Sequence, residues 1–77
     1  MTLGDIIRAQ RVGLGLTLRD VEDRLSGALS NAYLSQIENG RAANPTIRVL
    51  SLIAGALGLG FHLLCDAARE EQEADDA

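Results

Sequence analysis

The side chains best suited to chemistry in this chain are the amides and hydroxyls gathered in one stretch, S-N-A-Y-L-S-Q-I-E-N-G, from Ser30 to Gly40. Wound as a helix, the stretch puts Ala32, Ser35, Gln36 and Asn39 on the side opposite Leu34 and Ile37, with Asn31 at its edge. An Asn or Gln amide donates and accepts hydrogen bonds at once. Small neighbours such as Ala32 and Ser35 let another surface come close. The chemistry on offer is recognition through paired hydrogen bonds, although an ordinary solvated helix face has the same composition. Bond-making chemistry is not expected. Ser30 or Ser35 as nucleophile needs a histidine base, and the single histidine, His62, lies far along the chain in hydrophobic company. One cysteine, Cys65, and one histidine fall short of a zinc ligand set and of a disulfide. No enzyme activity, metal or cofactor is expected; His62 reads as a surface or interface residue and Cys65 as a small core hydrophobe.

A chain of 77 residues supports one small domain with a single core. With Tyr33 and Phe61 as the only aromatics, that core must be aliphatic. The N-terminus lacks the basic-then-apolar pattern of a secretion signal, and together with the lone cysteine this points to the cytoplasm. The net charge of −4 is unevenly spread. Met1 to Cys65 carries six arginines and five acids, whereas Asp66 to Ala77 carries one arginine and six acids. The body, residues 1–65, is near neutral with arginine as its only basic residue, and residues 66–77 form an acidic extension. Such a body permits phosphate binding without demanding it.

Helical periodicity recurs along the chain and strict alternation is rare, so an all-α fold is expected. Thr2 with Asp5 is a capping-box pattern opening a first helix whose inner stripe is Leu3, Ile6, Ile7, Gln10 and Leu14, ending at Gly13 and Gly15. Thr17 with Asp20 repeats the pattern for a short second helix facing in through Leu18, Val21 and Leu25. After a turn at Ser26–Leu29, Ser30 caps the third helix, which ends at Gly40. Asn44 and Pro45 read as cap and first residue of a fourth helix, apolar nearly all round and therefore central. Gly58 and Gly60 separate it from a fifth, traced by Phe61, Leu64, Cys65 and Ala68, that runs toward the acidic extension. Two readings compete. The seventeen uncharged residues between Arg48 and Asp66 approach a membrane-span length, though glycines cut the run. Phe61, Leu63 and Cys65 also alternate as a strand swapped between subunits would.

Two short capped helices joined by a tight turn under a longer apolar helix form a helix-turn-helix arrangement. The stretch L-T-L-R-D-V-E-D-R-L-S-G-A-L-S-N-A-Y-L-S-Q-I-E-N-G-R-A-A-N-P-T-I-R-V-L-S-L-I-A-G-A-L-G-L resembles the xenobiotic response element family of helix-turn-helix regulators, to which phage lambda-type repressors and Cro proteins belong. The similarity covers residues 3 to about 65. It implies a compact five-helix lambda-repressor-like domain whose third helix, Ser30 to Asn39, lies in the major groove of double-stranded DNA. Asn31 and Gln36 then read base edges, Ala32 meets a thymine methyl, and Ser35 serves a base or a phosphate. Thr17, Arg19, Ser30, Asn39, Arg41 and Asn44 face the DNA backbone. The family's arginine and glutamate, here Arg11 and Glu38, join the first helix to the third by a partly buried ion pair.

The resemblance departs in three places. The turn Ser26–Leu29 is longer than the family's shortest form, Glu22 stands where many members have a small residue, and the chain contains no lysine. Glu22 needs a partner or water. Thr46 replaces the basic residue frequent after the proline, with Arg48 as its substitute. The expected function is sequence-specific transcriptional regulation, as a repressor binding palindromic operators as a homodimer, with Leu63 and Leu64 at the subunit interface. The alternative is a protein-interaction module, or an antitoxin-type subunit whose acidic end engages a protein partner.

Overall fold

In the computed structural model, residues 1–42 and 44–76 are described, with side chains described as far as Glu71. Five helices follow one another: α1, Leu3–Gly13; α2, Leu18–Arg24; α3, Asn31–Glu38; α4, Ile47–Leu57; and α5, Phe61–Asp76. No strand occurs among the described residues, and none of their helices is long and apolar enough to cross a membrane. The alternating pattern at Phe61–Cys65 is therefore part of a helix. Its inward residues, Leu64 and Ala67, are spaced by three, as a helix requires.

Local signals set the helix starts. Thr2 and Asp5 close one capping box and Thr17 and Asp20 another, each hydroxyl accepting the third residue's N–H while that residue's carboxylate accepts the cap's own. Ser30 accepts the N–H of Tyr33 at the start of α3. α4 is capped by Thr46 and not by Asn44, so Pro45 precedes the helix and is not its first residue. Both Asn44 and Thr46 are good capping residues; the hydroxyl of Thr46 is the one that accepts from Val49, a residue of the core. At the end of α1, Leu14 falls outside the helix as its C-cap and is 48% exposed, so the inner stripe stops at Gln10.

Asp20 makes α2 sensitive to acid. The backbone N–H of Thr17, and then its hydroxyl, hold the Asp20 carboxyl below the usual carboxylate range. A depressed pKa means stabilisation that is present at neutral pH and lost as pH falls from about 4 through the lowered value. A carboxyl NMR titration should find the Asp20 midpoint below that of a free aspartate, and Thr17→Ala, which removes the hydroxyl but keeps the backbone N–H, should raise it only part of the way.

The core is aliphatic, with Ile7, Leu34, Ile53, Leu57 and Leu64 almost wholly buried. Each contributes roughly 1.5–3 kcal/mol of burial. α4 is central, packing against α1, α2 and α5. Its last carbonyls, left without helical partners, are met from neighbouring helices: the Gln10 amide donates to Leu57 O at 2.9 Å and Arg24 donates to Ala56 O at 3.0 Å. Between α2 and α3, Ser26 and Gly27 both take left-handed backbone angles, φ 52° and 79°. This reverses the chain and drops Leu29 into the core. α5 runs unbroken through residue 66: Ala67 is buried and the Glu71 carboxylate accepts the N–H of Leu3 at 2.6 Å. The packed body thus continues past residue 65 as far as Glu71.

Candidate functional site

α3 is held from behind by two helices. Leu34 and Ile37 are buried, Tyr33 is half-buried, and α1 and α2 both pack on this side. At its end α3 meets α1 closely. A Cβ on Gly4 would lie 2.8 Å from both Ile37 O and the carbonyl carbon of Glu38, so only a glycine lets the two backbones approach this far. Below this crossing Arg11 spreads its guanidinium over three acceptors. Nε donates to Glu38 Oε2 at 2.7 Å, Nη2 to Glu38 Oε1 at 3.0 Å and Nη1 to Leu16 O at 2.8 Å. The bidentate bond holds the Arg11 pKa above its ordinary value. One side chain thereby ties α1, the loop before α2, and the last turn of α3 into a fixed frame.

The outward side of α3 is open. Ala32, Gln36 and Asn39 are exposed and Ser35 is half-buried. Gln36 is the amide on this face for which no side-chain partner occurs among the described residues. Asn39, at the C-cap, turns its amide back to donate to Ser35 O at 2.9 Å and Ser35 Oγ at 3.3 Å. Asn31 is half-buried and donates from Nδ2 to Glu22 Oε1 at 2.8 Å. The carboxylate that needed a partner on α2 has found one, and Asn31 is not the free amide that its place on the helical wheel suggests. Sequence periodicity could not supply this contact, because it depends on where α2 crosses α3.

The residues expected to face a nucleic-acid backbone surround this surface. Thr17, Arg19, Ser30, Arg41 and Asn44 are exposed. The start of α2 is occupied by its own anion, however: Asp20 Oδ2 accepts the Thr17 N–H at 2.8 Å, so Thr17 brings a hydroxyl already engaged in capping and a neighbouring negative charge. α3 and α4 begin without an acid in their first turn, and the exposed Arg48 stands in the first turn of α4. The start of α4 keeps the favourable end of its helix dipole unopposed, whereas at the start of α3 the Glu22 carboxylate lies against Asn31. Among the described residues no cluster of acids, histidines or cysteines is arranged to hold a metal ion.

Of the two leucines expected at a subunit interface, Leu64 is fully buried against the protomer's own core and cannot meet a partner. Leu63 is 48% exposed and Phe61 36%, but standing two residues apart, about 200° around the helix, they lie on different flanks of α5. The two leucines lie one residue apart and so about 100° apart on the helix; packing against α4 selects which turns inward.

A family model described as helix-turn-helix matches residues 7–64. The transcriptional regulator ClgR of Mycobacterium tuberculosis, in strain H37Rv and in strain CDC 1551, is 43% identical over 75 residues, covering 91% of this chain and 64% of the relative. The chain thus spans slightly less than two thirds of the length of these curated relatives. No solved structure gives a significant match.

Proposed function

For a chain that belongs to the helix-turn-helix family, as its match over residues 7–64 establishes, we propose sequence-specific binding to double-stranded DNA in the service of transcriptional regulation. The observation that carries the reading is the outward side of α3. It is small, polar and exposed at Ala32, Gln36 and Asn39, and it is backed by buried Leu34 and Ile37. The name of the ClgR relatives, transcriptional regulator, agrees with it. Gln36 reads a base edge through its exposed amide, Ala32 lies against a thymine methyl, and Ser35 and Asn39, bonded to each other, meet the groove wall as a unit. Ser30, Arg19, Arg41, Asn44 and Arg48 supply donors to phosphates. With so few cations the salt dependence is shallow.

One such helix reads few base pairs. A two-fold dimer on half-sites about 34 Å apart restores the specificity a regulator needs. Leu63 on α5, exposed and apolar, is the contact for it, and occupancy of a palindromic operator represses by occlusion. Gln36→Ala tests the reading: on a site selected from random duplexes it should weaken binding by roughly 1–3 kcal/mol while affinity for random DNA stays the same. Equal losses on both would assign Gln36 no part in base reading. Sedimentation of the wild-type complex with the selected palindrome should give two chains per duplex.

A further inference from the structure

We propose that Glu22 sets the base preference of Asn31, by fixing which way the Asn31 amide faces in the major groove. The inference rests on the DNA-reading function proposed above. Glu22 stands on α2 and Asn31 is the first residue of α3; both are half-buried, and Asn31 Nδ2 lies 2.8 Å from Glu22 Oε1. An ionised carboxylate has only acceptors to offer, so the amide must present its nitrogen to it. The reverse orientation would set oxygen against oxygen.

An unrestrained asparagine exchanges its carbonyl and amino ends by a half-turn of its terminal torsion, which is soft. It can then face base edges of either kind, and discriminates poorly. With Nδ2 committed to Glu22, the group that keeps its full bonding capacity is the carbonyl oxygen Oδ1. That oxygen accepts from an exocyclic amino group, N6 of adenine or N4 of cytosine, the major-groove donors. The Glu22 carboxylate behind it reinforces the choice, because its charge repels the O6 acceptor of guanine and the O4 of thymine, where adenine and cytosine carry amino groups. The same charge lowers affinity for all DNA alike. Glu22 is thus a positioning residue that exchanges general affinity for selectivity at one base.

The test is selection of sites from random duplex DNA by wild type, Glu22→Gln, Glu22→Ala and Asn31→Ala. Each protein's binding is then measured to the wild-type site, to its single-position variants and to random DNA, with a melting curve for every variant. Wild type should prefer adenine or cytosine about tenfold at one position of each half-site. Asn31→Ala and Glu22→Ala should each abolish that preference and leave the other positions unchanged, and combining them should add nothing. Glu22→Ala should bind random DNA as well as wild type or better. Glu22→Gln can turn either oxygen or nitrogen toward Asn31 without loss of packing; it should relax the preference, and it carries the test should Glu22→Ala melt early. The proposal fails if guanine or thymine is preferred at the position Asn31 governs, or if that preference survives Glu22→Ala. It also fails if Glu22→Ala weakens specific and random binding equally, the mark of a purely structural bond. A wild-type protein that selects no site at all overturns the DNA-reading function itself, and this inference with it.

Discussion

Replacing Gly4 with alanine should destabilise the fold by about 3 kcal/mol, the net of two opposed effects. On the favourable side, alanine is the better helix former and restricts the unfolded chain, together worth about 1 kcal/mol. Against this stands the collision of the new methyl with the carbonyls of Ile37 and Glu38. These are backbone atoms in the last turn of α3 and cannot rotate aside, so α1 must move away. Withdrawal of α1 loosens the burial of Leu3 and Ile7 and stretches the Arg11–Glu38 bonds together. Overpacking typically costs roughly 1–3 kcal/mol and occasionally more; with two rigid backbone carbonyls in the way it is about 4 kcal/mol here, which leaves the net loss of about 3 kcal/mol. In a domain of this size the loss corresponds to a fall in melting temperature of roughly 15 °C. Gly55→Ala is the control: the position is exposed within α4 and nothing lies near its new methyl, so its melting temperature should rise by a few degrees. A Gly4→Ala protein that melts within two or three degrees of wild type would show that the crossing of α1 and α3 is not tight.

Arg11→Ala is the second large effect, with an expected loss of about 3–5 kcal/mol. It leaves the Glu38 carboxylate, 5% exposed, without its two donors and within the last turn of α3, where the helix dipole already disfavours negative charge. It also frees Leu16 O, and with it the loop that sets the start of α2. Glu38→Ala should be the milder change, because Arg11 keeps its bond to Leu16 O and its long stem can reach toward water. Arg11→Met combined with Glu38→Leu should recover most of the stability, since two matched apolar side chains do not leave a buried charge behind. Urea unfolding of wild type, Arg11→Met, Glu38→Leu and the doubly substituted protein closes a cycle and gives the coupling energy directly. If the doubly substituted protein also binds the selected site normally, the pair serves only to hold the frame; losses that simply add would sink the pairing.

The helix starts and stops were largely legible because their signals are local. Thr2 with Asp5, Thr17 with Asp20, and Ser30 each satisfy N–H groups within three residues of themselves, and Gly40 ends α3 with φ 72°, which a side chain resists. Where two local signals stood side by side, the sequence left the choice open. Asn44 and Thr46 flank one proline, and Leu63 and Leu64 adjoin on one helix; in both cases burial of Val49 and Leu64 in the core made the decision. Gly4 carried a faint signal, being a poor helix former inside a well-capped first turn. Nothing in its neighbours says which backbone it meets.

The amino-acid sequence by itself determined five helices, an aliphatic core and a third helix with one polar side, since periodicity and capping act over a few residues along the chain. Only the tertiary structure decided that Gly4 touches the end of α3, that Glu71 reaches the start of α1, and that Asn31 is bonded to Glu22 while Gln36 is exposed. Each of these depends on the angle and offset at which two helices cross. That geometry is fixed by the whole core at once, and no single segment encodes it.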